Sequence, residues 1–371
     1  MKQLLSYFFL STIFFSTAFT PIEKQAAENT KVVTYDNTDL QKVEIKDVQY
    51  IPLETTDQSL IGETNKVLYR NGLFYVMDTS KSKTIFTFDD KGNFLSSIAK
   101  SGNGPGEYVE LTDMDVDAAG NVYVADNANK RLIKYIKGNS KQFEIIPVGV
   151  HFLGFACLQD TKFILSDIFA QKGQRQKLAL LDATDGSLKT LLAVTTNDID
   201  EISILRMSPY PLYRSSDALY YNERFTPMIY TFNKEGDLQK DINLESNRYI
   251  PRSELKPLES NPMKYIKEHK YIKDIISIYE TSDYLVCQPF IFPSAEYLII
   301  PKDKSQKSYR ISLQDQPALK NISMIKAVTK NKLVSVMNYN EESPIFQKKH
   351  AALKGWNEDS NPVLVLFSPS N

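Results

Sequence analysis

Along this chain, apolar and polar positions recur in one order. A short apolar strand closes on an acidic or polar residue, a polar gap follows, and a second strand ends in a tight turn. "LFYVMD" (73–78) with "TIFTFDDKGNF" (84–94) sets the pattern, and "NVYVAD" (121–126) with "RLIKYIKGNSKQF" (131–143) repeats it. "KFILSD" (162–167) with "KLALLDATDGSL" (177–188) and "ALYYNE" (218–223) with "MIYTFNKEGDL" (228–238) come next. "YLVCQP" (284–289) with "EYLIIPKDKSQKSY" (296–309) and "KLVSVM" (332–337) with "NPVLVLF" (361–367) complete the series. Short β-branched and aromatic runs bounded by Gly, Asn and Asp read as strands.

The six units start at 73, 121, 162, 218, 284 and 332, with spacings of 41 to 66 residues. A period in the forties built of strands and turns is that of propeller blades. Each unit has a further run before it, such as "TDMDVD" (112–117), and one after it, such as "FLSSIA" (94–99). Four strands per unit make a blade. The last unit lacks a fourth strand, and "VQYIPLET" (48–55) is free to supply it, which closes the ring and removes an exposed edge. The expected fold is therefore all-β, a six-bladed β-propeller closed by an N-terminal strand. It forms one domain over residues 28–371, with insertions at 245–275 and 338–361. A two-sheet sandwich would leave six repeats unexplained.

The segments "IPLETTDQSLIG" (51–62), "GNGPGEY" (102–108), "GNVYVADNANKRLIKY" (120–135) and the terminal "NPVLVLF" resemble the six-bladed β-propeller family of exported bacterial proteins. The middle segments are also similar to NHL repeats. The resemblance runs from Val43 to Phe367 and implies fold without implying one reaction. Many relatives are lipoproteins, whereas no cysteine follows the leader here, so the likeness does not extend to lipid anchoring.

The N-terminus carries Lys2 and then an uncharged run from Leu4 to Phe19, with small residues offering cleavage after Ala18 or Ala27. That is a signal peptide over residues 1–27, the competing reading being a short membrane anchor. Export to the periplasm or cell surface follows, with a mature chain that does not span the membrane. Lys and Arg number 44 against 45 Asp and Glu, so no field draws a polyanion and nucleic acid is excluded as a partner. Cys157 and Cys287 lie in apolar runs, as two buried thiols or as one disulfide.

"SGNGPGEYVE" (101–110) has the glycines of a phosphate cradle, but a cradle needs a helix and a GK[ST] sequence after it. Here "EYVELTDMDVD" follows, which is strand-like. Gly102, Gly104, Pro105 and Gly106 therefore read as a blade-to-blade connection. In the NHL-like resemblance, Tyr108 wedges between the two blades. "DMDVDAAGN" (113–121) has alternating acids but not the glycine of a calcium loop. Alternation puts Asp113 and Asp115 on one side of an inner strand, facing water in the channel, with a divalent cation there as the second reading. Otherwise no cofactor is called for. Asp78, Asp126 and Asp167 end strands in equivalent places and read as turn acceptors. His151, His269 and His350 are dispersed, and no HExxH, CxxC or GxSxG motif occurs.

Connections between strands one and two, and three and four, are tight. The long ones gather on the opposite face: 101–110, 167–176, 194–209, 245–274, 289–296 and 338–361. Long loops on one face of a compact domain point to binding. Short helices are expected within 261–275 and 343–356. Phe290, Phe292, Trp356, Arg224 and His350 are the candidate lining of a cleft there, suited to a glycan or an envelope protein. The expectation is an exported, monomeric binding or scaffolding propeller. The alternative is a metal-assisted lyase or lactonase working in the channel through Asp113 and Asp115.

Overall fold

A computed structural model describes residues 30–41, 45–98, 100–159, 161–169, 175–193, 210–215, 218–223, 226–251, 262–272, 274–291, 296–313, 319, 322, 324–342 and 350–369. The leader, Arg224, Phe292, all of 194–209 and residues 343–349 lie outside them. Six sheets form. Blade 1 is Lys66–Arg70, Leu73–Asp78, Thr84–Phe88 and Phe94–Ile98. Blade 2 is Leu111–Val116, Val122–Asp126, Arg131–Tyr135 and Phe143–Pro147. Blade 3 is Gly154–Gln159, Lys162–Phe169, Arg175–Asp182 and Ser187–Ala193. Blade 4 is Leu212–Arg214, Leu219–Asn222, Met228–Phe232 and Leu238–Glu245. Blade 5 is Ile275–Glu280, Tyr284–Pro289, Glu296–Pro301 and Tyr309–Ser312. Blade 6 takes Ile325–Val328, Leu333–Met337 and Val363–Pro369 from the C-terminal part, with Ile45–Pro52 paired antiparallel to Val363–Pro369 as its outer strand.

The burial of each strand explains its composition. Second and third strands such as Leu73–Asp78 and Thr84–Phe88 are buried along almost their whole length, because a neighbouring blade covers each face. Outer strands such as Phe94–Ile98 and Phe143–Pro147 have one covered face fewer and are largely exposed. The apolar core is accordingly a set of seams between adjacent blades, one for each junction including blade 6 to blade 1. That last seam packs Val67, Phe74 and Phe88 against Ala327, Val334 and Leu364. The six-bladed ring is closed.

The connection from blade 1 to blade 2 is a tight structural knot. Gly106 has φ +72, and a Cβ there would come within 2.6 Å of the Phe143 ring. Its carbonyl accepts the Tyr135 hydroxyl at 2.7 Å. Glu107 folds back to accept the Gly104 amide at 2.8 Å. Tyr108 is fully buried in the seam and donates its hydroxyl to the Lys83 carbonyl. Asp126 accepts the amides of Val109 and Glu110 and an ion pair from Arg131 at 2.9 Å. Asp78 does the same work in blade 1, accepting amides from Gly62, Ser80, Lys81 and Ser82. Asp167 differs: it sits at φ 51 where the ladder of its strand skips a residue. Cys157 and Cys287 stand in different blades, both buried and with no disulfide between them.

One feature of the fold has no counterpart in the repeat pattern. Lys31–Thr34 adds a fifth, parallel strand to the outer edge of blade 4, pairing with Ile242 to Glu245. Tyr35 then inserts into the seam of blades 4 and 5, 1% exposed. The chain runs on beside the outer strand of blade 5, where Arg310 exchanges backbone hydrogen bonds with Asp39 and Gln41. The Arg310 guanidinium covers the Tyr35 ring at 5.1 Å, pairs with Glu296 at 2.7 Å and donates to the Thr38 carbonyl. From there the segment enters blade 6 as Ile45–Pro52. A single N-terminal stretch thus belts three consecutive blades.

Truncating the belt's anchor, Tyr35→Ala, should cost about 3–5 kcal/mol, read as a lower urea midpoint with an unchanged slope. A second expectation concerns acid. Burial works to raise the Asp78 carboxyl, but the hydrogen bonds from Lys81, Ser82 and Gly62 outweigh it and bring it from 3.8 to about 2. The folded value lies below the unfolded one, so its stabilisation is complete above pH 4 and drains as pH falls towards 2. Asp78→Asn should therefore be less stable than the wild type at pH 6, and the gap should shrink through that window in urea melts.

Candidate functional site

The first strand of every blade lies innermost, and together these strands leave a cavity of about 460 Å³ along the axis. Its wall is mostly apolar and aromatic, with Tyr69, Tyr210, Tyr213, Tyr279 and Phe155 the largest contributors. Glu63 and Met324, both exposed, stand just before the inner strands of blades 1 and 6. Both belong to the face where the inter-blade connections gather.

Two buried carboxylates organise the axis. Asp113 accepts Lys66 Nζ at 2.6 Å and the amides of Met114 and Phe155 at 2.8 and 3.0 Å. Asp115 accepts Arg214 through Nε at 2.9 Å and Nη2 at 3.0 Å, and the amides of Val116 and Cys157, both at 2.8 Å. Arg214 also donates to the Val116 carbonyl. Each acid of blade 2 thus ties the backbone of blade 3 to a cation from another blade, Lys66 of blade 1 or Arg214 of blade 4. Gly154 makes room for this, since a Cβ there would meet Ser166 Oγ at 2.9 Å and Asp113 Oδ2 at 3.5 Å. Burial pushes the Asp113 carboxyl upward against the opposing charge of Lys66. Burial acts the same way on Asp115, but the charges of Arg214, Arg70 and Lys66 overcome it and hold that carboxyl low.

Sequence alternation places these acids correctly on one side of the strand, but they do not face water. Their relative exposures are 1% and 4%, and basic side chains and amides already occupy their oxygens. Among the described residues no three His, Cys, Asp or Glu side chains gather as a metal ion requires.

Among the described residues, the aromatic cleft expected on the long-loop face does not assemble. Trp356 is buried in the seam of blades 5 and 6, with Nε1 donating to the Asn361 carbonyl at 2.9 Å and Tyr339 edge-on at 5.2 Å. His350 is exposed and packs on Tyr50 of the outermost strand, 4.8 Å between centroids, far out along the blade from the axis. Phe290 is half-buried just after blade 5's second strand, and Phe292 and Arg224 lie outside the described residues. A loop aromatic reads as available in sequence because its burial depends on a partner blade that sequence does not show. The helix Pro262–His269 does form within 261–275; Ile266 is buried, and Tyr265, His269 and Tyr271 stack beside exposed Lys264 and Lys267.

The residues that sequence reasoning passed over are the basic ones of the axis. Besides Lys66 and Arg214, Arg70 and Lys326 line the cavity. Arg70 donates to the carbonyls of Tyr69 and Arg214 at 2.9 and 2.8 Å. Burial and the nearby Arg214 charge lower it to about 10, against the pull of Asp115. Burial also lowers the Lys326 ammonium. A usable signal was present: "KVLYR" (66–70) brackets an apolar inner strand with two cations.

A family model, described as a domain of unknown function (DUF4934), matches residues 25–368. The chain belongs to the DUF4934 family. No curated protein matches this DUF4934 chain. Among solved structures, a Bacteroides fragilis protein described as exported superposes with a TM-score of 0.72 at 14% identity, over 92% of this chain and 99% of its own. A DUF4221-family member from Bacteroides vulgatus superposes at 0.53 and 12% identity, over 89% and 98%. These likenesses establish the propeller fold. No helix among the described residues is long and apolar enough to cross a membrane.

The axial ion pairs of this DUF4934 propeller predict a definite response. Arg214→Met leaves Asp115 buried without its cation and should cost about 3–5 kcal/mol. Adding Asp115→Leu should recover most of that loss, since replacing a whole buried pair by apolar groups is close to neutral. Urea denaturation of the two variants measures both effects.

Proposed function

We propose that this DUF4934 propeller is an exported binding protein of the cell envelope that takes a small ligand into its axial cavity from the long-connection face. The cavity carries the reading: it is about 460 Å³, walled by tyrosines and aliphatic side chains, with an exposed rim on one face. Pockets of that size and lining are what small-molecule sites use. Export is supported by the uncharged N-terminal run with its small-residue cleavage sites. The long connections around the rim give a glycan or an envelope protein a surface to engage when the ligand is part of a larger molecule.

The competing metal-assisted lyase or lactonase would need carboxylates open to a cation or a substrate proton. Asp113 and Asp115 would have to abandon Lys66 and Arg214 to provide them. Binding demands no such rearrangement.

A thermal-shift screen of small molecules tests the reading against Val328→Trp, which fills the cavity from the inner strand of blade 6. A ligand at a hundredfold excess over its Kd stabilises by about 2.7 kcal/mol, so hits should raise the wild-type Tm by several degrees and leave folded Val328→Trp unmoved. Equal shifts in both proteins would place the ligand elsewhere.

A further inference from the structure

The charge lining the axial cavity is unbalanced. Asp113 and Asp115 are consumed by Lys66 and Arg214, and Glu280 is paired with Lys302 at 2.7 Å. Arg70 and Lys326 remain, on the inner strands of the adjoining blades 1 and 6, against the one exposed carboxylate of Glu63, which Asn65 Nδ2 and Ser80 Oγ engage near the mouth. Among the described residues, Arg70 bonds only to two carbonyls, and Lys326 makes neither a hydrogen bond nor an ion pair. A guanidinium has five N–H donors and an ammonium three, so both retain donors for a guest.

We propose that the cavity selects organic anions, with an oxyanion head drawn to Arg70 and Lys326 and an apolar or aromatic body against Tyr69, Tyr279 and the aliphatic wall. This rests on the axial cavity being the binding site, as proposed above, and adds the chemical class of what enters it.

Several observations support the assignment independently of one another. Tyrosine and aliphatic side chains supply half of the lining, which gives an organic body a contact surface beside the charged groups. Arg70 Nη2 reaches the Arg214 carbonyl of blade 4 and Lys326 lines the wall from blade 6, so both cations border the axial space an anion would enter. Burial weakens the charged form of both groups, Arg70 further through Arg214, and an incoming anion relieves that cost. A neutral guest of the same shape would leave two cations desolvated and unpaired, which discriminates against it.

Carboxylate and phosphate heads share the required chemistry, and the test separates them. Calorimetric titration of the full mature chain with 2-naphthoate, 2-naphthyl phosphate and uncharged 2-naphthylmethanol compares heads on one body. At least one of the anions should bind tenfold or more tightly than the alcohol. Lys326→Met should remove most of that preference by lowering anion affinity far more than it changes the alcohol's. Lys326→Glu should lower anion affinity further, by a hundredfold or more, and circular dichroism confirms that both variants are folded. If anion and alcohol bind alike and Lys326→Met changes nothing, anion selection is wrong while the axial site stands. If the wild type binds none of the three at millimolar concentration, anion selection also fails, and the Val328→Trp thermal-shift comparison decides the cavity separately.

Discussion

Asp115, almost wholly buried, meets Arg214 at the wall of the axial cavity, and much of the molecule's centre is arranged around that contact. A blade buries its two faces against its neighbours, so the apolar driving force acts around the ring and not along the axis. The inner strands are left to converge with polar groups that have to satisfy one another. Asp113 and Asp115 do this for blades 1 to 4, accepting two backbone amides of blade 3 and one cation each from blades 1 and 4. A buried pair of this kind adds little net stability, but breaking half of it is expensive. Its effect is to fix how four blades sit around the axis, and therefore the shape of the cavity between them.

That arrangement also explains how the centre can carry positive charge without collapsing. The acids are matched one to one, and Arg70 rests on carbonyl oxygens instead of a carboxylate. Carbonyl dipoles hold a guanidinium in place without cancelling its charge, so the field survives inside a wall of aromatic and aliphatic groups.

The sequence made the ring legible but left its centre largely unread. Second strands begin at Leu73, Val122, Lys162, Leu219, Tyr284 and Leu333, within one residue of the starts expected from the pattern. This succeeds because each strand is buried on both faces and so has no choice but to be apolar. The axis was not legible for the converse reason. Asp113 finds Lys66 across 47 residues and Asp115 finds Arg214 across 99, distances over which local patterning carries no information. Trp356 misled in the same way, since a loop residue and a seam residue look identical until the partner blade is in place. "KVVT" at 31–34 was too short to announce a strand, and its partner is a parallel edge more than two hundred residues away.

The N-terminal belt has a consequence for the order of events during synthesis. Residues 31–52 are synthesised long before their partners at 242–245, 310 and 363–369. Until each partner is made, the corresponding part of the segment has nowhere to settle, and the outer edges of blades 4, 5 and 6 stay open to mispairing. Contacts this distant in sequence also make for slow closure. The newborn chain therefore spends its longest-lived unfinished state as an arc with a loose tail, and whatever guards that tail governs how much of it becomes a ring.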